Sequence, residues 1–177
     1  MAFAALGGLC VLAFVNRDAA TLTMSGLSFV GVIALRVGGV PRRSLLVVSL
    51  GLFGLIIVID SGALGHARAV TSAAHLVVSG LLAWAIAAPV KARLEWSRSR
   101  YTKHWAAIVI VLVLGAALVW EAGEWAADVI VDVNLQTSVI DSELDLVFAL
   151  IGALAGALAF GRWHPGDGRA RSTRPAA

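Results

Sequence analysis

Residues 105–127 read WAAIVIVLVLGAALVWEAGEWAA, and no charged side chain occurs in them before Glu121. A helix needs about 20 consecutive apolar residues to cross a bilayer, with a usual range of about 17–25. The stretch therefore predicts a membrane-spanning helix whose last turns carry two carboxylates, Glu121 and Glu124. The apolar run predicts the fold, and the two carboxylates within it are the first candidates for a functional site.

The composition of the whole chain agrees with a membrane protein. Its 177 residues are 59% hydrophobic and only 14% charged, and the mean hydropathy is +0.88. Soluble domains are about 45–50% apolar and about 25% charged. The formal charge of +3 is small and the basic residues are scattered in short segments, so no nucleic-acid-binding face is expected. A single cysteine, Cys10, excludes an intramolecular disulfide framework and a cysteine-based zinc site.

Six apolar runs divide the chain. They cover about residues 2–15, 19–35, 44–59, 70–90, 105–127 and 144–161. The first is short, but it lacks the basic leader and the small-residue cleavage site of a signal peptide, so it is interpreted as a short span. Pro89 predicts the end of the fourth span, because proline interrupts helical hydrogen bonding.

The basic residues predict the orientation of these spans. Twelve of the fourteen Lys and Arg residues fall after the second, fourth and sixth runs, and only Arg17 and Arg68 fall in the alternate segments. Short cytoplasmic loops are enriched in Lys and Arg. The sequence thus predicts an all-α polytopic membrane protein, a bundle of about six transmembrane helices with cytoplasmic N and C termini. Residues 1–162 would form a single transmembrane domain and 163–177 a disordered, basic cytoplasmic tail.

The acidic residues gather at the opposite side. Residues 120–146, WEAGEWAADVIVDVNLQTSVIDSELDL, hold seven of the eleven Asp and Glu residues and no Lys or Arg. At about 100° per residue, the acids at positions 121, 124, 128 and 132 share one face if the helix continues that far. Asp141 and Asp145 share a face of the next helix. His75 lies about two turns into the fourth span from the same membrane surface.

Several of these residues also have ordinary interpretations. Asp141 is placed to cap the sixth helix, and Glu143 complements the positive end of its dipole. Asp128 and Asp132 suit a solvated loop. Glu121 and Glu124 are harder to explain, because carboxylates near a helix C-terminus oppose the dipole and charges within a span are costly. His75 suits either a packing role or a polar site.

The predicted polar site therefore comprises His75, Glu121, Glu124, Asp128, Asn134, Gln136, Asp141 and Asp145. Of these, His75, Glu121, Glu124, Asp141 and Asp145 are the candidate metal ligands. Several oxygen ligands suit a hard cation such as Mg²⁺ or Ca²⁺, and one imidazole also admits Zn²⁺ or Mn²⁺. A proton relay among clustered carboxylates is an equally allowed alternative.

The order of these motifs resembles a known group of proteins. Glu121 and Glu124 form E-x-x-E, N-x-Q follows at 134–136, and D-x-x-x-D-L at 141–146 precedes the glycines Gly152 and Gly156. This pattern, over about residues 70–160, resembles the YjdF-like bacterial multi-pass inner-membrane proteins and, more distantly, the VanZ-like proteins linked to teicoplanin resistance. The resemblance implies a prokaryotic cytoplasmic membrane location and supports the polar site, but it implies no reaction.

Three functions remain open at the level of sequence. The leading hypothesis is a polar site near the extracytoplasmic face that binds a cation and acts on an envelope or lipid-linked component within the lipid bilayer. The second is a small proton- or cation-coupled transporter. The third is a structural or assembly subunit. Whether the protein is an enzyme stays undecided.

The last span also carries a face of small residues. Gly152 and Gly156 lie four residues apart with alanines beside them, as in helices that approach each other closely in lipid. The preferred interpretation is close helix packing, and an oligomer through this face is a further expectation.

Overall fold

A computed structural model describes residues 8, 19–60, 68–98, 100–132 and 138–163. The secondary structure in this part of the chain is entirely helical, with no strand, which confirms the all-α prediction. The five helices are α1 (Ala19–Val37), α2 (Arg42–Asp60), α3 (Arg68–Trp96), α4 (Trp105–Val131) and α5 (Val139–Trp163), with a short 3-10 turn at Thr102–His104.

Three helices are long and apolar enough to cross a membrane: Val70–Trp96, Thr102–Ile130 and Val139–Arg162. They correspond to the fourth, fifth and sixth predicted runs. The second and third runs are confirmed as helices, and a shorter apolar segment, Met24–Val37, lies in α1. The first run falls outside the described residues apart from Gly8, so the count of six spans and the side of the termini stay predictions. Trp163 ends α5 rather than opening the tail, and the rest of the predicted tail lies outside the described residues.

The predicted stop at Pro89 is wrong, because α3 continues through this proline to Trp96. Proline removes one intrahelical hydrogen bond, and membrane helices tolerate it where neighbouring helices support the backbone. Ala85, Ile86 and Ala87, in the turn before Pro89, are all buried in the core. The turn that the proline interrupts is therefore packed against the rest of the bundle.

α3 and α5 make the closest contact in the bundle. A Cβ atom added at Gly152 would overlap the carbonyl oxygen of Leu76, and one added at Gly156 would overlap the carbonyl oxygen of Gly80. The small-residue face therefore packs within the chain, as the preferred interpretation had it. α3 lies against both glycines within the chain, and an oligomer through this face stays a prediction.

α4 completes the core against these two helices. Its buried residues Val109, Val113 and Ala117 recur every four positions and face the bundle. Trp105 at its start packs edge-to-face on Phe160 near the end of α5, with ring centroids 5.4 Å apart. This contact shows that α4 runs antiparallel to α5.

The short turn between α1 and α2 lies at the same end of the bundle as Trp105 and Phe160. Gly39 adopts a left-handed φ of +88°, which glycine accommodates without strain. Gly38 and Val40 line a cavity of about 420 Å³ together with Pro89 and Arg93. Apart from Arg68, every described Lys and Arg lies toward this end, which we call the basic end.

Candidate polar site between three helices

Three polar side chains converge from three different helices at the end opposite to the basic end. His75 of α3 places its Nε2 atom 3.6 Å from Oε1 of Glu121 on α4. The same Nε2 lies 3.7 Å from Oδ2 of Asp145 on α5. One potential ligand atom from each residue lies within 4.8 Å of the other two. We call His75, Glu121 and Asp145 the three-helix cluster.

Helical periodicity explains why these side chains point inward. Glu121 continues the row of Val113 and Ala117, so the face of α4 that packs the core also carries the carboxylate. Asp145 likewise lies four residues before the fully buried Ala149 on α5. Both acids are only 5% exposed, and carboxylates are rarely buried to this degree unless they are paired.

Ser72 orients the aspartate of the cluster. Its hydroxyl donates a 2.9 Å hydrogen bond to Oδ1 of Asp145. The other oxygen, Oδ2, is the one nearest His75. Ser72 precedes His75 by three residues on α3, so the two side chains share a face of this helix. Both lie against the carboxylate of Asp145.

Glu124 lies beside the cluster but is held differently. The indole Nε1 of Trp120, one turn earlier on α4, donates a 2.7 Å hydrogen bond to Oε1 of Glu124. Glu124 is buried and lies within electrostatic range of Glu121, Asp145 and Asp128. The acidic region thus extends beyond the three residues that converge most closely.

The start of α5 differs from the expected cap. The helix begins at Val139, and the Ser138 side-chain oxygen accepts a hydrogen bond from the backbone N–H of Asp141 at 3.3 Å. Ser138 is therefore the N-cap, and the interpretation of Asp141 as the cap is wrong. Asp141 is instead buried in the first turn, within electrostatic range of Asp145. Glu143 is exposed.

The acidic face of α4 ends before Asp132, the last of the four acids that the helical spacing placed on it. The helix ends at Val131, and Asp132 follows it in a left-handed conformation with φ +56°. Asp132 is exposed, whereas Asp128 is partly buried on the helix. The predicted site residues Asn134 and Gln136 lie outside the described residues.

The dipole explanation for the two glutamates does not hold. Glu121 and Glu124 lie more than one turn before the end of α4 at Val131, and the dipole acts mainly within the last turn. Burial, rather than dipole opposition, is what makes these carboxylates costly. Their presence in the core therefore needs compensation by protons, by a cation or by cationic groups.

The arrangement has the donor types of a metal site. An imidazole nitrogen and two carboxylate oxygens from separate helices approach a common point, and carboxylate and imidazole ligands together suit divalent metals. Glu124 and Asp141, the other two predicted ligands, are buried next to this group rather than within it. The same groups are also able to share protons, because interacting titratable sites exchange them as a unit.

Two polar contacts escaped the sequence analysis. Ser72 and Trp120 hold Asp145 and Glu124, and neither was among the predicted site residues. Their spacing carries a usable signal, since Ser72 lies three residues before His75 and Trp120 four residues before Glu124. Donors at such spacing share a helix face with the group that they support.

Comparison with known proteins places the chain in a family without assigning it an activity. No curated protein and no solved structure matches the chain. One family model matches over nearly the whole length, from residue 1 to residue 166. Its span includes every helix described above and all of the predicted site residues. The apolar helices and this match together show that the chain belongs to the family described as "Predicted membrane protein (DUF2238)".

Proposed function

We propose that this protein is a multi-pass protein of the prokaryotic cytoplasmic membrane that binds a divalent cation at the three-helix cluster. The bound cation would act on an envelope component, in particular a lipid-linked one. The observation that carries the proposal is the convergence of His75, Glu121 and Asp145, whose candidate ligand atoms lie within 4.8 Å of one another in the bundle interior.

The depth of the cluster supports a lipid-linked substrate. α4 continues from Glu121 to Val131, about 15 Å further at a rise of about 1.5 Å per residue. His75 lies about 10 Å from the start of α3, by the same rise per residue. In a spanning bundle the cluster therefore lies below the membrane surface. A molecule anchored in the bilayer reaches that depth more readily than a water-soluble one.

A cation at this position would supply the chemistry that envelope substrates need. Divalent ions polarise phosphoryl and carbonyl oxygens and stabilise the charge that develops on them. The surrounding carboxylates of Glu124 and Asp141 add negative potential that favours a cation.

The first test measures metal content. The protein is purified in detergent and its divalent metals are quantified by mass spectrometry, beside the variants Glu121→Gln and Glu143→Gln. Glu143 is exposed on α5, so it is a matched control for loss of one carboxylate. We expect metal in the wild type and in Glu143→Gln, and a clear loss in Glu121→Gln. Equal, negligible metal in all three proteins contradicts the proposal.

The proposed topology has six spans with both termini in the cytoplasm. Segregation of the described basic residues from the three-helix cluster supports it. Asp132 is exposed at the end of α4, so a cysteine placed there, in a Cys10→Ser background, reports its side of the membrane. We expect an impermeant thiol reagent to label Asp132→Cys in intact cells. Labelling only after lysis reverses the orientation.

The relation to the YjdF-like proteins, and more distantly to the VanZ-like proteins, belongs to the same proposal. The family match supports a membrane protein, and the burial of Glu121, Glu124, Asp141 and Asp145 supports a shared polar site. These four residues are the acidic part of the pattern on which the resemblance rests.

A graded row of carboxylates favours a second candidate function, a proton-coupled transporter. Glu121 and Glu124 of α4 are buried, Asp128 of the same helix is partly buried, and Asp132, directly after the helix, is exposed. Such a row could pass protons between the cluster and the surface. In liposomes, transport predicts a proton flux that Glu124→Gln reduces and Glu143→Gln does not. An absence of flux at every pH argues against this function.

A further inference from the structure

We propose that the three-helix cluster selects a first-row transition-metal ion such as Zn²⁺ over Mg²⁺ and Ca²⁺. This rests on the proposed cation binding and adds the identity of the ion. From the sequence, the several oxygen ligands suited a hard cation and the one imidazole also admitted Zn²⁺ or Mn²⁺, and the position of one nitrogen atom separates these two classes.

His75 Nε2 is the common neighbour of the two carboxylates. It lies 3.6 Å from the Glu121 oxygen and 3.7 Å from the Asp145 oxygen. An ion bound by both carboxylates therefore meets the imidazole as well. Mg²⁺ and Ca²⁺ take oxygen ligands, whereas imidazole nitrogen suits Zn²⁺ and its neighbours in the first transition row.

The spacing of the donors fits a compact ion. A tetrahedral ion with bonds of about 2.0–2.2 Å holds its ligand atoms about 3.4 Å apart. The two distances from Nε2 exceed this value by only a few tenths of an ångström. The third separation, at most 4.8 Å, closes by rotation of the Glu121 side chain.

The surrounding hydrogen bonds agree with this ligand set. Ser72 occupies Oδ1 of Asp145 and leaves Oδ2 toward Nε2, as partners of metal-bound carboxylates commonly do. Trp120 holds Glu124 beside the cluster rather than within the converging group. Three protein ligands leave a fourth position for water or a substrate oxygen, which is the pattern of catalytic zinc sites.

The test is a comparison of ions on the full chain. The protein is purified in detergent with a tag that contains no histidine, stripped with EDTA and titrated separately with Zn²⁺, Mn²⁺, Mg²⁺ and Ca²⁺ by calorimetry. We expect one Zn²⁺ per chain, bound on the order of 1,000-fold more tightly than Mg²⁺.

Substitutions then assign the ligand atoms. His75→Gln should weaken Zn²⁺ binding by more than about 100-fold, and Ser72→Ala by about 10–100-fold, the usual effect of an outer-shell partner. The control is His104→Gln, because His104 is exposed at the basic end and should leave Zn²⁺ affinity unchanged. Size-exclusion profiles and circular dichroism check that each variant is folded.

Cobalt gives a readout that does not depend on any variant. Co²⁺ bound to the wild-type protein should show the intense visible absorption of a four-coordinate ion, and Zn²⁺ should displace it. Comparable affinities for Zn²⁺ and Mg²⁺, or undiminished Zn²⁺ binding in folded His75→Gln, overturn the ion selectivity while the cation site itself stands. Failure of the folded wild type to bind any of the four ions overturns both proposals.

Discussion

The buried faces of α3, α4 and α5 carry different kinds of residue at the two ends of the bundle. Toward the basic end, the faces carry glycine, alanine and valine, and the backbones of α3 and α5 touch at Gly80 and Gly156. At the other end the faces carry His75, Glu121 and Asp145. The pattern of burial continues from one end to the other while the chemistry changes.

This difference shows how a membrane bundle positions a polar site. Lipid tails give no hydrophobic reason for helices to associate, so close packing of small residues supplies much of the attraction. The glycine contacts set the separation between α3 and α5, and that separation decides whether Ser72 and His75 reach Asp145. The packed end thus determines the geometry of the polar end.

The largest expected effect comes from breaking the packed end. Gly156→Leu places a side chain against the backbone of Gly80 and should lower the free energy of unfolding by about 3 kcal/mol or more, with loss of cation binding. Thermal unfolding in detergent measures this. The control is Gly115→Leu, since nothing lies within 4 Å of a Cβ there. Equal stability of the two variants would show that the glycine contact does not hold the bundle together.

At the polar end, Ser72→Ala should cost about 2 kcal/mol, because it removes a buried hydrogen bond to a carboxylate. Ser97→Ala is the matched control, since its hydroxyl makes an exposed bond to a backbone carbonyl near the basic end. We expect the control to change stability by less than about 0.5 kcal/mol. A similar cost for both serines contradicts a special role for Ser72.

A smaller effect is expected from the tryptophan beside the cluster. Trp120→Phe removes the indole donor of Glu124 and should cost about 1.5 kcal/mol. Trp125→Phe makes the same change in ring size, but its donor contact to Ser142 is exposed and 3.4 Å long. The difference between the two variants therefore reports the hydrogen bond to Glu124, and chemical denaturation in detergent measures it. Equal free energies of unfolding for the two variants would show that the hydrogen bond from Trp120 does not stabilise Glu124.

The smallest effect is expected at the basic end. The partly buried Lys91 and the exposed Glu95 form an ion pair of 3.9 Å one turn apart on α3. Lys91→Ala should cost only about 0.3 kcal/mol, because solvent screens such pairs. The same unfolding assay at low salt measures this. A loss of more than about 1 kcal/mol in the free energy of unfolding would show that the ion pair stabilises the protein more than a surface pair does.

Much of the fold was predictable from local composition. The apolar runs at 70–90, 105–127 and 144–161 locate α3, α4 and α5, because a long apolar run is stable as a helix in lipid. Their ends were not predictable. α5 starts at Val139 because Ser138 caps it, and α3 passes Pro89 because packing supports the interrupted turn.

The candidate site was predictable in its residue types but not in its contacts. Sequence periodicity placed Glu121 and Glu124 on one helix face and His75 at a similar depth. It could not separate Glu121, which approaches the imidazole, from Glu124, which is held by Trp120. Two acids on one face of a helix differ in the side chains that each one contacts after folding, and the spacing of the sequence does not give those contacts.

The sequence by itself determined that this protein is helical, that it belongs in a membrane and that most of its carboxylates are separated along the chain from most of its basic residues. These properties follow from hydropathy and charge, which act locally along the chain. Only the tertiary structure decided that Ser72 and His75 meet Asp145, seventy or more residues away. Such a contact depends on the distance between two helices, and backbone packing at Gly80, Gly152 and Gly156 sets that distance.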